Sequence, residues 1–205
     1  MDTEKKIIYG GIVAIVVILA WWFFWPTRIT NDPPHPGPII AFGDSLVSGT
    51  GSNSGKDFVS ILSKGIQQPI VNMGRAGDTT AQGVSRMEGV VEKHPSIVLL
   101  LFGGNDYLQK KPREETFSNL AVMIENLQDA GAVVILLGVR GGLLHDNFAS
   151  EFAALARKYG TLYVPDVLDG IIGNEKMLSD EVHPNDAGYE QIAKRIYPEL
   201  RKVLK

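Results

Sequence analysis

Residues 39–46 read IIAFGDSL: four apolar residues that do not alternate with polar ones, then a glycine and two short polar residues before the next apolar position. An apolar run this short and continuous is a strand buried on both faces, and Gly-Asp-Ser after it is turn chemistry. The same pattern recurs at 70–73, 97–102, 132–138 and 162–164. Between these five expected strands, residues 58–66, 81–92, 114–130 and 148–159 carry helical spacing, and 186–204 closes the chain as a helix. Strands of this kind alternating with helices predict a parallel sheet covered on both sides, a three-layer α/β/α domain over residues 39–205. In such sheets ligands bind beyond the carboxyl ends of the strands, so the chemistry belongs immediately after each apolar run.

Those positions hold Gly43-Asp44-Ser45-Leu46, Gly74-Arg75-Ala76-Gly77-Asp78 and Gly103-Gly104-Asn105-Asp106, while Asp180-Glu181-Val182-His183-Pro184 precedes the last helix. Together they supply the parts of a serine hydrolase: a hydroxyl nucleophile, a base, a carboxylate that fixes the base's tautomer, and donors for an oxyanion. Ser45 sits where the chain turns from strand to helix, which exposes its hydroxyl at the sheet edge. His183 is the candidate base, and Asp180, three residues earlier in the same turn, is placed to accept from its other ring nitrogen. The Ser45 amide, the Gly77 N–H and the Asn105 side-chain amide are the candidate oxyanion donors, with Gly74 a competing match for Gly77. Asp44 and Asp106 read as residues that cap a helix or pin a loop.

The four blocks, GDSL at 43–46, an NxxxxGDT-like block at 72–79, GGND at 103–106 and DxxH at 180–183, resemble the GDSL/SGNH hydrolase family. Within it they are most similar to the thioesterase I, lysophospholipase L1 and arylesterase group. The resemblance spans residues 39–197 and implies a flavodoxin-like sheet of five parallel strands. It also implies hydrolysis of acyl esters, thioesters or lysolipids through an acyl-enzyme on Ser45, without metal or cofactor. The same machinery also serves carbohydrate or cell-wall O-acetyl esterases, and a catalytically silent anchored binding protein is the alternative from another class.

Competing motifs are incomplete. Residues 49–57, GTGSNSGKD, lack the glycine at Thr50 and the hydroxyl residue at Asp57 that a phosphate loop needs, so they read as a flexible loop beside Ser45. His94 and His145 have no paired metal-ligand spacing with His183, although Arg140, Leu143 and His145 follow the fourth strand and are placed to line a substrate pocket.

The N-terminus is different in kind. Residues 7–25 run without a charge and end in Trp21, Trp22, Phe23, Phe24 and Trp25. At about 1.5 Å per residue that length just crosses a bilayer core, and its aromatic end suits the headgroup level. Residues 1–26 are therefore expected to form one transmembrane helix, uncleaved because small residues are missing at its end. Lys5 and Lys6 before it, against Arg28 alone behind it, place the N-terminus in the cytoplasm and the domain outside. Residues 27–38, rich in proline and turn formers, are expected to act as a semi-extended linker in which His35 is solvated. Asp2 and Glu4 against Lys5, Lys6 and Arg28 give +1, so the overall net charge of −3 leaves −4 on the remainder. An acidic domain of that kind is a poor nucleic-acid binder.

Overall fold

A computed structural model of the chain describes residues 28–140 and 148–204. The apolar run at 7–25 lies outside the described residues, as do Leu143 and His145. Among the described residues no helix is long and apolar enough to cross a membrane. Five strands form one parallel sheet: β1 (Ile39–Gly43), β2 (Ile70–Gly74), β3 (Ile97–Leu101), β4 (Val133–Leu137) and β5 (Leu162–Val164), in the spatial order β2-β1-β3-β4-β5. Every residue of β1, β3 and β4 is buried, as non-alternating runs require, whereas β2 and β5 lie at the edges and are partly exposed.

The helices are α1 (Ser45–Ser48), α2 (Phe58–Ile66), α3 (Thr80–Ser85), α4 (Glu88–Val91), α5 (Gly104–Leu108), α6 (Arg113–Asp129), α7 (Ala149–Tyr159) and α8 (Asp186–Val203). Packing of α2 on α8 makes one outer layer, and α3 and α7 against α6 make the other. The strand order reverses direction between β1 and β3, so the crevice above their carboxyl ends is the switch point where such folds bind ligands.

The single helix expected over 81–92 is two. Arg86 leaves helical geometry at φ −117°, ψ 14° and turns its guanidinium inward, so α3 stops at Ser85 and α4 starts at Glu88. The four- and five-residue helices α1 and α5, which sequence periodicity misses, turn the chain sharply after β1 and β3.

Residues 28–38 do not stand clear of the domain. They run along the amino-terminal edge of the sheet, held by hydrogen bonds at the bases of β5, β4 and β3. Thr30 N–H donates to Gly160 O (2.9 Å) and Thr30 Oγ1 to Tyr159 O (2.8 Å). Asn31 Nδ2 donates to Gln128 O (2.8 Å) and Ala132 O (3.1 Å), and Ser96 N–H to Pro38 O (2.9 Å). His35, expected to be solvated, is half-buried against Gly131, and its Nε2 is shielded from water.

Candidate active site

Asp44 makes the first turn after β1. Its Oδ1 accepts from Leu46 N–H (3.0 Å), which starts α1 directly at Ser45. As the first residue of that helix, Ser45 has an N–H with no partner inside it. The Ser45 hydroxyl lies 3.1 Å from His183 Nε2, and His183 Nδ1 lies 2.7 Å from Asp180 Oδ2. The second oxygen of Asp180 accepts from the Val182 and His183 amides at 2.9 and 2.7 Å. These donors, Val182 N–H first and the imidazole second, hold the Asp180 carboxyl down at about 2. It is ionised throughout the neutral range and orients the ring with its Nδ1 as donor.

The loop carrying His183 is itself clamped. Ser179 donates to His183 O from both its amide (2.9 Å) and its hydroxyl (3.1 Å), and Asn185 caps α8 by accepting from Ala187 and Gly188. Residues 49–57, expected to be flexible, are pinned to this region. Asn53 donates to both oxygens of Asp186 at 2.8 and 3.0 Å, and the hydroxyl of the buried Tyr189 donates to Thr50 O at 2.8 Å. Gly51 approaches so closely that an added Cβ would meet Ser179 Oγ at 2.2 Å.

The oxyanion candidates separate cleanly. Gly74 N–H is spent on Asn72 Oδ1 (2.9 Å), whereas Gly77 N–H has no hydrogen-bond partner among the described residues. Gly77 has φ +84°, a left-handed conformation that suits glycine, and nothing lies within 4 Å of where a side chain would begin. Asn105 Nδ2 donates one hydrogen to Asp78 O (3.0 Å), which fixes the amide and leaves its second hydrogen free. Asp106 pins this segment as expected: buried, it accepts from Thr80 N–H (2.9 Å) and Thr80 Oγ1 (2.6 Å). Asp44 is 2 % exposed, and burial pushes its carboxyl up to about 7, with the neighbouring Asp106 adding to the rise.

Arg86 escaped the sequence reading. Its Nε donates to Asp78 Oδ2 (2.6 Å), Nη1 to Met73 O (2.8 Å) and Nη2 to Gly43 O (2.7 Å), with the guanidinium 4.4 Å from the Phe42 ring centroid. One side chain thus ties the ends of β1 and β2 to Asp78, and each oxyanion candidate lies beside one of these anchors. A cation inside an otherwise helical segment is the only signal the sequence offers. Arg140 lies 3.7 Å from Asp166 in an ion pair on the rim, and His94 lies at the opposite edge of the sheet from Ser45.

Residues 41–191 match the GDSL-like Lipase/Acylhydrolase family. The chain is 29% identical over 178 residues to Esterase TesA of Pseudomonas aeruginosa, covering 81% of this chain and 89% of that protein. It is 30% identical to the Arylesterase of Vibrio mimicus, with the same coverage of 81% and 89%. The crystal structure of TesA superposes with a TM-score of 0.76 at 28% identity, covering 82% of this chain and 99% of that one. With four ordered blocks meeting at one switch point and a match that spans most of the domain, the chain belongs to the GDSL-like lipase/acylhydrolase family and is a carboxylic ester hydrolase.

Proposed function

We propose that Ser45 is the acylated nucleophile of this esterase, His183 its base and Asp180 the residue that orients the base. The observation that carries this is the unbroken chain Ser45 Oγ to His183 Nε2 to Asp180 Oδ2, at 3.1 and 2.7 Å. Ser45 attacks the carbonyl carbon of an ester or thioester as its proton passes to His183 Nε2. The resulting oxyanion is met by the Ser45 and Gly77 N–H groups and the free hydrogen of Asn105 Nδ2. The alcohol or thiol leaves with the proton from His183, and water activated by the same ring then releases the acid. The residues named complete this cycle from protein groups alone.

The acyl esters, thioesters and lysolipids of the similar proteins' group are the substrate class we favour. We place the protein in the cytoplasmic membrane through residues 7–25, with the domain on the extracytoplasmic side, on the strength of that uncharged run and of Lys5 and Lys6 before it. A fluorophosphonate probe tests the chemistry: it should label the protein at Ser45 and leave Ser45→Ala unlabelled. Labelling that survives Ser45→Ala would refute the assignment. Hydrolysis rates along a series of p-nitrophenyl esters then give the acyl preference, and activity confined to the acetyl ester would move the substrate from lipids to O-acetyl groups.

A further inference from the structure

The docked segment 28–38 sets the edge of the sheet at which the chain joins the domain. It begins at the base of β5, where Arg28 O packs against Gly160, and passes Asn31 at the base of β4, where His35 also lies against Gly131. At the base of β3, Ser96 donates to Gly37 O and Pro38 O, and the chain then enters β1. It is a strap under the sheet, crossing four of the five strands on the edge opposite Ser45. The five residues of β1, at about 3.3 Å each, put roughly 16 Å of strand between strap and nucleophile.

We infer that this strap holds the active site facing away from the membrane that residues 7–25 enter. The substrate is then an acyl ester or thioester arriving from the aqueous phase, not a lipid of the anchoring bilayer. The inference rests on the proposed anchor. Only Pro26 and Thr27 separate the end of the apolar run from docked Arg28, and the three steps from Trp25 to Arg28 reach at most about 11 Å. A domain of this size has a radius of gyration of about 15 Å, so turning Ser45 toward the bilayer means carrying the chain around a body about 40 Å across. The tether falls short severalfold. Only release of the strap, which adds eleven residues and up to about 40 Å of reach, would let the site touch its own membrane.

The chain has no cysteine, so single introduced cysteines are unique labelling sites. Asp129 is exposed beside the strap and Gln109 is exposed just beyond α5 on the active-site side. Full-length Asp129→Cys and Gln109→Cys, labelled with a donor fluorophore, are to be reconstituted into phosphatidylcholine vesicles bearing a headgroup acceptor. Vesicle flotation scores the anchor, and energy transfer scores the orientation. The expected result is co-flotation with transfer from Asp129→Cys at least twofold more efficient than from Gln109→Cys. Activity on a water-soluble butyryl ester should be unaffected by anchoring. Failure to float would overturn the anchor and the inference with it. Flotation with equal or greater transfer from Gln109→Cys would overturn the orientation alone.

Discussion

Replacing Arg86 by lysine keeps a positive charge beside Asp78 but removes the fork that serves three acceptors at once. The guanidinium spends Nε, Nη1 and Nη2 on Asp78, Met73 O and Gly43 O, and a single ammonium cannot reach all three. Gly43 O keeps the Arg75 amide as donor at 3.0 Å, so the losses are one carbonyl partner in full and part of a second. At about 1.5–3 kcal/mol for a hydrogen bond to a charged group, Arg86→Lys should lower stability by about 2–4 kcal/mol. Arg86→Met is harsher, because it strands the Asp78 carboxylate at 4 % exposure; breaking a buried pair this way costs about 3–5 kcal/mol. Pairing Arg86→Met with Asp78→Asn removes the stranded charge and tests the geometry separately. In catalysis, deleting an oxyanion donor outright costs about a hundred- to thousandfold, so displacing Gly77 and Asn105 by loosening their anchor should lower kcat by about ten- to a hundredfold. KM for a short p-nitrophenyl ester should stay within about twofold, because those donors act on the transition state more than on the ground state. Initial rates are to be divided by the folded fraction from urea titration of the same sample. An Arg86→Lys enzyme whose kcat per folded molecule matches the parent would show that Arg86 only holds the sheet ends together.

Asn105→Ala should reduce kcat by about a hundred- to thousandfold while the protein melts near the parent temperature, and a loss under tenfold would remove Asn105 from the oxyanion site. Gly51→Ala adds a methyl group 2.6 Å from Pro184 O at φ +95°, so it should displace the His183 loop and slow fluorophosphonate labelling; unchanged labelling would show that loop 49–57 does not govern the base. Asp44 gives a pH signature in stability. Its folded value of about 7 exceeds the ordinary 3.8, so the folded state holds a proton that the unfolded chain loses between those values. That contribution is complete below pH 3.8 and is lost as pH rises toward 7, at up to about 1.4 kcal/mol per unit. Asp44→Asn keeps an acceptor for Leu46 and should flatten this decline, gaining on the parent as melting temperatures are compared from pH 4 to 8; parallel curves would refute it.

The fold was legible because its buried strands are short apolar runs that no competing pattern imitates, and β1, β3 and β4 fall within a residue or two of where those runs end. The site was legible for a related reason. A parallel sheet delivers every strand's following residue to one edge, so Ser45, Gly77 and Asn105 needed only their positions after β1, β2 and β3 to be brought together. His183 required the additional fact that Asp180 shares its turn, because nothing local says that residue 183 returns to residue 45.

What stayed hidden depends on single side chains bridging distant sequence. Periodicity carried a helix through 81–92 because Arg86 is a good helix former, and only its three partners at Gly43, Met73 and Asp78 explain why it leaves the helix. Asn53 and residues 28–38 failed in the same way: proline, glycine and polar residues describe a segment without regular structure, which is not a segment without contacts. Asn31 reaches Gln128 and Ala132, Thr30 reaches Tyr159, and Asn53 reaches Asp186, each across more than ninety residues. Such bonds satisfy backbone carbonyls and a helix-first-turn carboxylate that the fold would otherwise leave to water, so they arise only once the sheet and its helices exist. The candidate groups Ser45, Gly77 and Asn105 belong to the first level, fixed by where β1, β2 and β3 end. The loop latches and the Arg86 brace belong to the second.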